Sequence, residues 1–227
     1  MPRPRDAEPD PRVLRRNIER ALRRDDAPGD IVPMLERLQR VALEGSDEHS
    51  YADRRLAELL LETHPWRAAV HVRRLVEREP DDDAVWALTG LAHALLGNHR
   101  YACVAYRRAL ARSPGNPWYS HNLGHLLDVA LDRPLDAVKH LERAHKAVPD
   151  EPAIACSLVH ALWRAGELVR ARAVLRPLLR RESGDPDVIA LATELDRAES
   201  GKLRKRRALG GPASDPARRR RGAPPRR

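Results

Sequence analysis

His121 and His125 stand four residues apart with Asp128 one turn further on, and Cys156 and His160 repeat the spacing of four. In a helix that spacing puts the side chains on one face. Imidazole, thiolate and carboxylate from two adjacent helices are ligand types that Zn²⁺ accepts in a tetrahedron. The same residues also read as the polar lining of a binding surface, with Cys156 a small buried side chain. We adopt that second reading and assign no metal or cofactor. The sequence offers no Ser/His/Asp order, glycine-rich phosphate loop or HExxH, and the acidic turns at Asp81 to Asp83 and Asp150 to Glu151 read as helix caps. A non-enzymatic protein is expected.

The elements that must position these residues are helices. From Asp83 to Asn116, Trp86, Gly90 and His93 lie on one face of a first helical run. Gly97 and Asn98 break it. Tyr101, Ala102, Ala105, Tyr106 and Ala109 keep the same period in a second run that ends at Pro114 and Gly115. That is a helical hairpin, and it recurs. Ala68, Ala102, Ala137 and Ala171 follow one another by 34, 35 and 34 residues, Pro80, Pro114 and Pro149 by 34 and 35, and Gly90 returns as Gly124 after 34. The extra residue of the longer repeat is expected in the turn around Asp132 to Pro134. Small residues at Gly90, Ala102, Ala109, Gly124, Ala137, Ala144 and Ala171 fit places where helix axes approach closely.

Trp86, Thr89-Gly90, His93, Ala102, Tyr106, Ala109 and Pro114 resemble the tetratricopeptide repeat. Thr89 and His93 stand where that family usually has Leu and Tyr. The resemblance implies an all-α, right-handed superhelical solenoid whose leading helices line a concave groove that holds peptides or helices of other proteins. Projected onto this sequence, the groove takes Asp53, Arg54 and Ala57 from the first repeat and Ala87, Leu88, Leu91 and Leu95 from the second. The third supplies His121, Asn122, His125 and Asp128, and the fourth Cys156, Ser157, His160, Trp163 and Arg164. The wall thus changes from apolar to imidazole-rich. The resemblance does not extend to the members that clamp an acidic chaperone tail, because Asp53, Ala57, Leu88, Trp118 and Asn122 occupy the clamp places. Nor do Ala87, His121 and Cys156 supply the repeated polar reader of an RNA-binding helical repeat.

In chain order, residues 1–9 are expected to be disordered and 10–45 to form a degenerate or capping hairpin. The four repeats fill 46–185, a capping helix 186–199, and a disordered basic tail 200–227. The N-terminal hairpin carries an apolar stripe, and it is expected to cover Leu91 and Leu95, which otherwise would anchor a ligand helix or peptide. The net charge of +9 is carried by the tail: Lys202, Arg204, Lys205, Arg206, Arg207, Arg218, Arg219, Arg220, Arg221, Arg226 and Arg227 oppose Asp215 alone, a net +10 that leaves −1 for residues 1–200. Such a tail reads as a solubilising, non-specific extension, or it could contact nucleic acid or an acidic surface electrostatically, as an alternative to groove binding of a protein partner. No aromatic residue interleaves the arginines to stack on bases. Two cysteines give no disulfide framework, and neither a leader-like apolar run nor 18 consecutive apolar residues occur, so a cytoplasmic location is expected.

Overall fold

The computed structural model describes residues 8–181 and 184–208, which form helices with no strand among them. In order these are α1 (Pro11–Arg23), α2 (Pro28–Val41), α3 (Asp47–Leu60), α4 (Pro65–Arg78), α5 (Asp83–Leu95), α6 (His99–Arg112) and α7 (Pro117–His125). A π-helical turn (Leu126–Ala130) follows, then α8 (Pro134–Ala147), α9 (Pro152–Arg164), α10 (Leu168–Arg181) and α11 (Pro186–Ala208). Local chemistry sets their starts. The side chains of Asp10, Ser46, Asp82, Asn116 and Asp185 each accept a backbone N–H of the first turn that has no partner within the helix. Gly97 and Gly166 reverse the chain with φ of +75° and +82°, backbone that a residue with a Cβ adopts only at a cost.

Consecutive helices pack as antiparallel hairpins, and the hairpins stack so that α7 touches α9 and α9 touches α11. This is the solenoid of tetratricopeptide-like hairpins expected from the period. The small residues are at the close contacts. A Cβ on Gly90 would lie 2.7 Å from the Tyr106 ring. One on Gly124 would lie 2.6 Å from Leu141 Cγ and 3.2 Å from the Ala137 carbonyl oxygen. Ala102, Ala109, Ala137, Ala144 and Ala171 are fully buried, and Trp86 is held between repeats by an Nε1–H bond to the Pro80 carbonyl at 2.7 Å. Pro114 sits in the exposed turn after α6.

Three expectations are revised. The N-terminal hairpin does not fold over Leu91 and Leu95, which stay 38% and 50% exposed. Leu14, Ile18, Ile31, Leu35 and Leu38 pack instead with Ala52, Leu56 and Leu60 of α3, so that α1 and α2 extend the stack as one more layer. Second, the extra residue of the third repeat lies inside a helix and not in the turn. In the neighbouring repeats the left-handed turn residue is a Gly at the fifteenth place, whereas here it is Asp132 (φ +52°), one place later. The additional residue is taken up by the π turn, where the Leu131 N–H reaches back to the Leu126 carbonyl. Third, α11 continues past Glu199, so Lys202, Arg204, Lys205, Arg206 and Arg207 lie on a helix. Arg218 to Arg221 are outside the described residues. No helix among the described residues is long and apolar enough to cross a membrane.

Replacing Gly124 by Ala tests the close approach. Helix propensity returns about 1 kcal/mol, and overpacking against Leu141 and the Ala137 carbonyl costs about 1–3 kcal/mol. We expect Gly124→Ala to lower unfolding stability by up to about 2 kcal/mol in a denaturant titration. Gly115→Ala, with no atom within 4 Å of the added carbon, should stay within about 0.5 kcal/mol of wild type. Equal stabilities would contradict the close-packing account.

Candidate functional site

The leading helices α3, α5, α7, α9 and α11 line one inner wall, and its two ends are built differently. At the N-terminal end two of the projected groove residues are internal. Ala57 is fully buried, and Asp53 is wholly inaccessible at the meeting of α2, α3 and α4. Gln39 Nε2 and His71 Nδ1 donate to Asp53 Oδ1 at 2.5 and 2.8 Å, and Arg78 Nη1 donates to Oδ2 at 2.9 Å. Burial alone would raise the Asp53 pKa. The His71 hydrogen bond and the positive charges around it, Arg74 among them, outweigh burial and hold it below its ordinary value. Arg78 also donates to His49 Nδ1 at 2.8 Å, and burial pushes the His49 pKa down. Arg54 is likewise committed, donating to Glu79 and to Asp82 at the start of α5. The first repeat therefore contributes a charge network that ties layers together, and not a ligand surface.

Beyond it the wall opens. Leu91, Leu95 and Trp118 are exposed in part, and Trp118 meets His121 edge-on at 6.1 Å between ring centroids. His121 and His125 follow with rings 6.1 Å apart, as their spacing predicts. His121 Nε2 lies 3.0 Å from Ser157 Oγ on α9, while Asn122 donates to the Tyr106 hydroxyl at 3.2 Å and so anchors a packing residue. Burial lowers the pKa of both His121 and His125, so both rings are neutral at neutral pH.

The π turn decides the C-terminal end. It turns Asp128 inward, where only 2% of the residue remains exposed. His160 Nδ1 lies 2.6 Å from Asp128 Oδ2, and Arg164 Nη1 donates to Oδ1 at 2.8 Å and also to the Asp128 carbonyl. A carboxylate only accepts, so His160 carries its proton on Nδ1 and turns Nε2 outward. Arg164 further bonds Asp132, and Trp163 packs edge-on to His160 at 5.6 Å. Asp128 and Arg164, expected as groove contacts, are mutual partners that orient His160. Spent in this way, Asp128 does not join the histidines around a metal, and among the described residues no group of three His, Cys, Asp or Glu is placed to hold one. Cys156 sits half-buried beside Ser157, its thiol pKa raised by burial and then by the carboxylates of Asp185 and Asp187. These side chains border a cleft of about 330 Å³ closed on its far side by Asp187, Ala190, Leu191 and Glu194 of α11. The sequence reading missed that wall, because α11 appeared only as a cap. The signal was present in Asp187, Ala190, Leu191 and Glu194 falling on one helical stripe.

Residues 128–195, which include most of this end, match the tetratricopeptide repeat family. Over those residues the chain is similar to that family, and the fold of its hairpins is the tetratricopeptide fold. Among solved structures the fold is similar to MamA from Desulfovibrio magneticus RS-1, at 16% identity and TM-score 0.69, covering 79% of this chain and 99% of that one. It is similar also to PilF of Pseudomonas aeruginosa, at 17% identity and TM-score 0.66 with 89% and 93% covered. A third is YrrB, described as a TPR protein with an unusual peptide-binding site, at 18% identity and TM-score 0.59 with 66% and 78% covered. A search of curated proteins finds no match by sequence. At these identities the likeness is one of fold, and tetratricopeptide folds serve in general as protein-interaction scaffolds.

Two measurements check this account. Removing a buried partner leaves the other charges uncompensated, so Asp53→Ala should cost about 3–5 kcal/mol in chemical denaturation. A loss below about 1 kcal/mol would mean that the network does not couple the layers. Second, His49, His93, His121, His125, His140 and His145 all have pKa values lowered chiefly by burial. The unfolded chain then binds more protons than the folded one as pH falls through 6.5, their ordinary value, and stability must drop. The melting temperature should be lower at pH 5.5 than at pH 7.5, with a smaller difference in His125→Asn. An unchanged or higher value at pH 5.5 would refute the burial assignment.

Proposed function

We propose that this chain is a non-enzymatic adaptor that holds a segment of a partner protein along the inner wall from Leu91 to Trp163. The observation that carries the proposal is the mixture of side chains left open on that wall. Leu91, Leu95, Trp118 and Val129 keep apolar surface in water at half-exposure, and between them His125 makes no hydrogen bond within the described residues. A stretch of backbone laid there can bury the leucines and Trp118 and exchange hydrogen bonds with His121 and His125. Because those rings are neutral, they can both donate and accept, which suits peptide groups better than charged ones. The buried networks around Asp53 and Asp128 support the reading by stiffening both ends of the wall, which lowers the ordering cost of binding.

The test is capture of partners by tagged full-length protein, identified by mass spectrometry. Wild type is set beside Leu91→Ser/Leu95→Ser, His121→Ala/His125→Ala, and Trp66→Ser, which alters an exposed side chain on α4 instead of the groove. A specific partner should be retained by the Trp66 variant and lost, by tenfold or more, from both groove variants while their circular dichroism stays unchanged. A partner retained by both groove variants would place binding elsewhere on the molecule.

A further inference from the structure

The cleft at the C-terminal end of the groove has a chemistry of its own. Asp128 is neutralised by Arg164 and hydrogen-bonded by His160, so neither it nor the guanidinium offers charge to a ligand. What remains is polar or negative: the outward Nε2 of His160, Ser157 Oγ, and the carboxylates of Asp187 and Glu194. Neither carboxylate pairs with a cation among the described residues. Several acids elsewhere in the body do: Glu79 and Asp82 with Arg54, Glu142 and Glu167 with Arg170, and Asp196 with Arg172 on the same helix as Glu194. The field they set up is felt at Cys156, whose ionisation Asp185 and Asp187 oppose.

The spacing narrows the ligand further. Asp187 and Glu194 are two turns apart on α11, about 10 Å along the axis, with Ala190 and Leu191 as a low apolar floor between them. A polyproline II chain has three residues per turn and rises about 3.1 Å per residue, so side chains three apart leave the same edge roughly 9 Å from each other. An α-helix would meet the same separation with its charges seven apart, but at about 10–12 Å across it is too wide to seat in a cleft of about 330 Å³, and a β-strand turns residues three apart to opposite faces. A cleft of about 330 Å³ is at the small end of ligand-sized cavities and suits side chains entering from a segment that lies along its mouth.

Building on the groove reading above, we propose that this cleft recognises an extended, proline-rich segment of a partner protein. The segment carries two Arg or Lys side chains three residues apart, one seated against Asp187 and the other against Glu194. The prolines rest on Ala190 and Leu191, and the chain continues into the groove past His160. Charge complementarity selects the segment, and the spacing of the two carboxylates sets its register.

The test uses two fluorescent octapeptides of one composition, PPRPPRPP and PPRRPPPP, titrated into full-length protein by anisotropy at low salt. Each exposed ion pair contributes a gain of roughly 1.5- to 5-fold. The first peptide should therefore bind several-fold more tightly than the second, and Asp187→Asn/Glu194→Gln should abolish that preference. Affinity should also weaken as salt rises. Equal binding of the two peptides, or a preference that survives the double substitution, would overturn the proposal. If wild type binds neither peptide while Arg218→Ser/Arg221→Ser protein does, the chain's own Arg218–Arg221 segment occupies the cleft and the proposed partner is excluded. Failure with the peptides alongside partner capture that still depends on His121 and His125 would leave the groove reading standing. Spacing-selective peptide binding without such capture would refute the groove reading and retain the cleft.

Discussion

The structure depends on how closely its helices approach. Where α7 crosses α8, Gly124 leaves no room for a methyl group against Leu141 and the Ala137 carbonyl, and Gly90 does the same against Tyr106. Contact at that range fixes the crossing of each hairpin, and repetition of the crossing turns a row of hairpins into a curved wall. Everything on the wall inherits its position from these contacts. Small residues, which contribute no chemistry, therefore determine where the imidazoles can be.

Two buried carboxylates then divide the wall. Asp53 and Asp128 are each taken out of water and each compensated by arginine and histidine from a neighbouring helix, yet the outcomes differ. Around Asp53 the partners are consumed internally, and the surface there is closed. Around Asp128 one partner, His160, still presents a nitrogen to the groove. Asp128 lies within the π turn that takes up the additional residue of this repeat, and there its carboxylate is buried in the layer beneath the wall.

This contrast also marks what could be read from the sequence. The period of Ala68, Ala102, Ala137 and Ala171 was enough for the fold, because close packing tolerates few residue types and so leaves a regular trace. The pairing of His121 with His125 was legible for the same geometric reason. The burial of Asp53 was not, since an acid on a helix face carries no sign of whether its neutralising partners, here up to 25 residues away at Arg78, will meet it. The π turn was visible only as a repeat one residue too long, and a length does not say which segment takes up the addition. The far wall of the cleft went unread because a helix that ends an array was taken to face solvent, whereas α11 also faces α9.

The grading of the wall from leucines to imidazoles to carboxylates follows from these constraints. Around Leu91 and Leu95 of α5 apolar side chains can stay half-exposed at little cost. Near α9 a fixed Asp128 needs donors, so the layer above it carries His160 and Arg164. With Arg164 bound inward, the next helix out can present acids without collapsing onto it. A segment lying along the whole wall would meet apolar surface first, then groups that donate and accept, then negative charge. Its orientation would be set by that order alone, because reversing it would place charged side chains on Leu91 and Leu95 and leave Asp187 and Glu194 facing apolar ones.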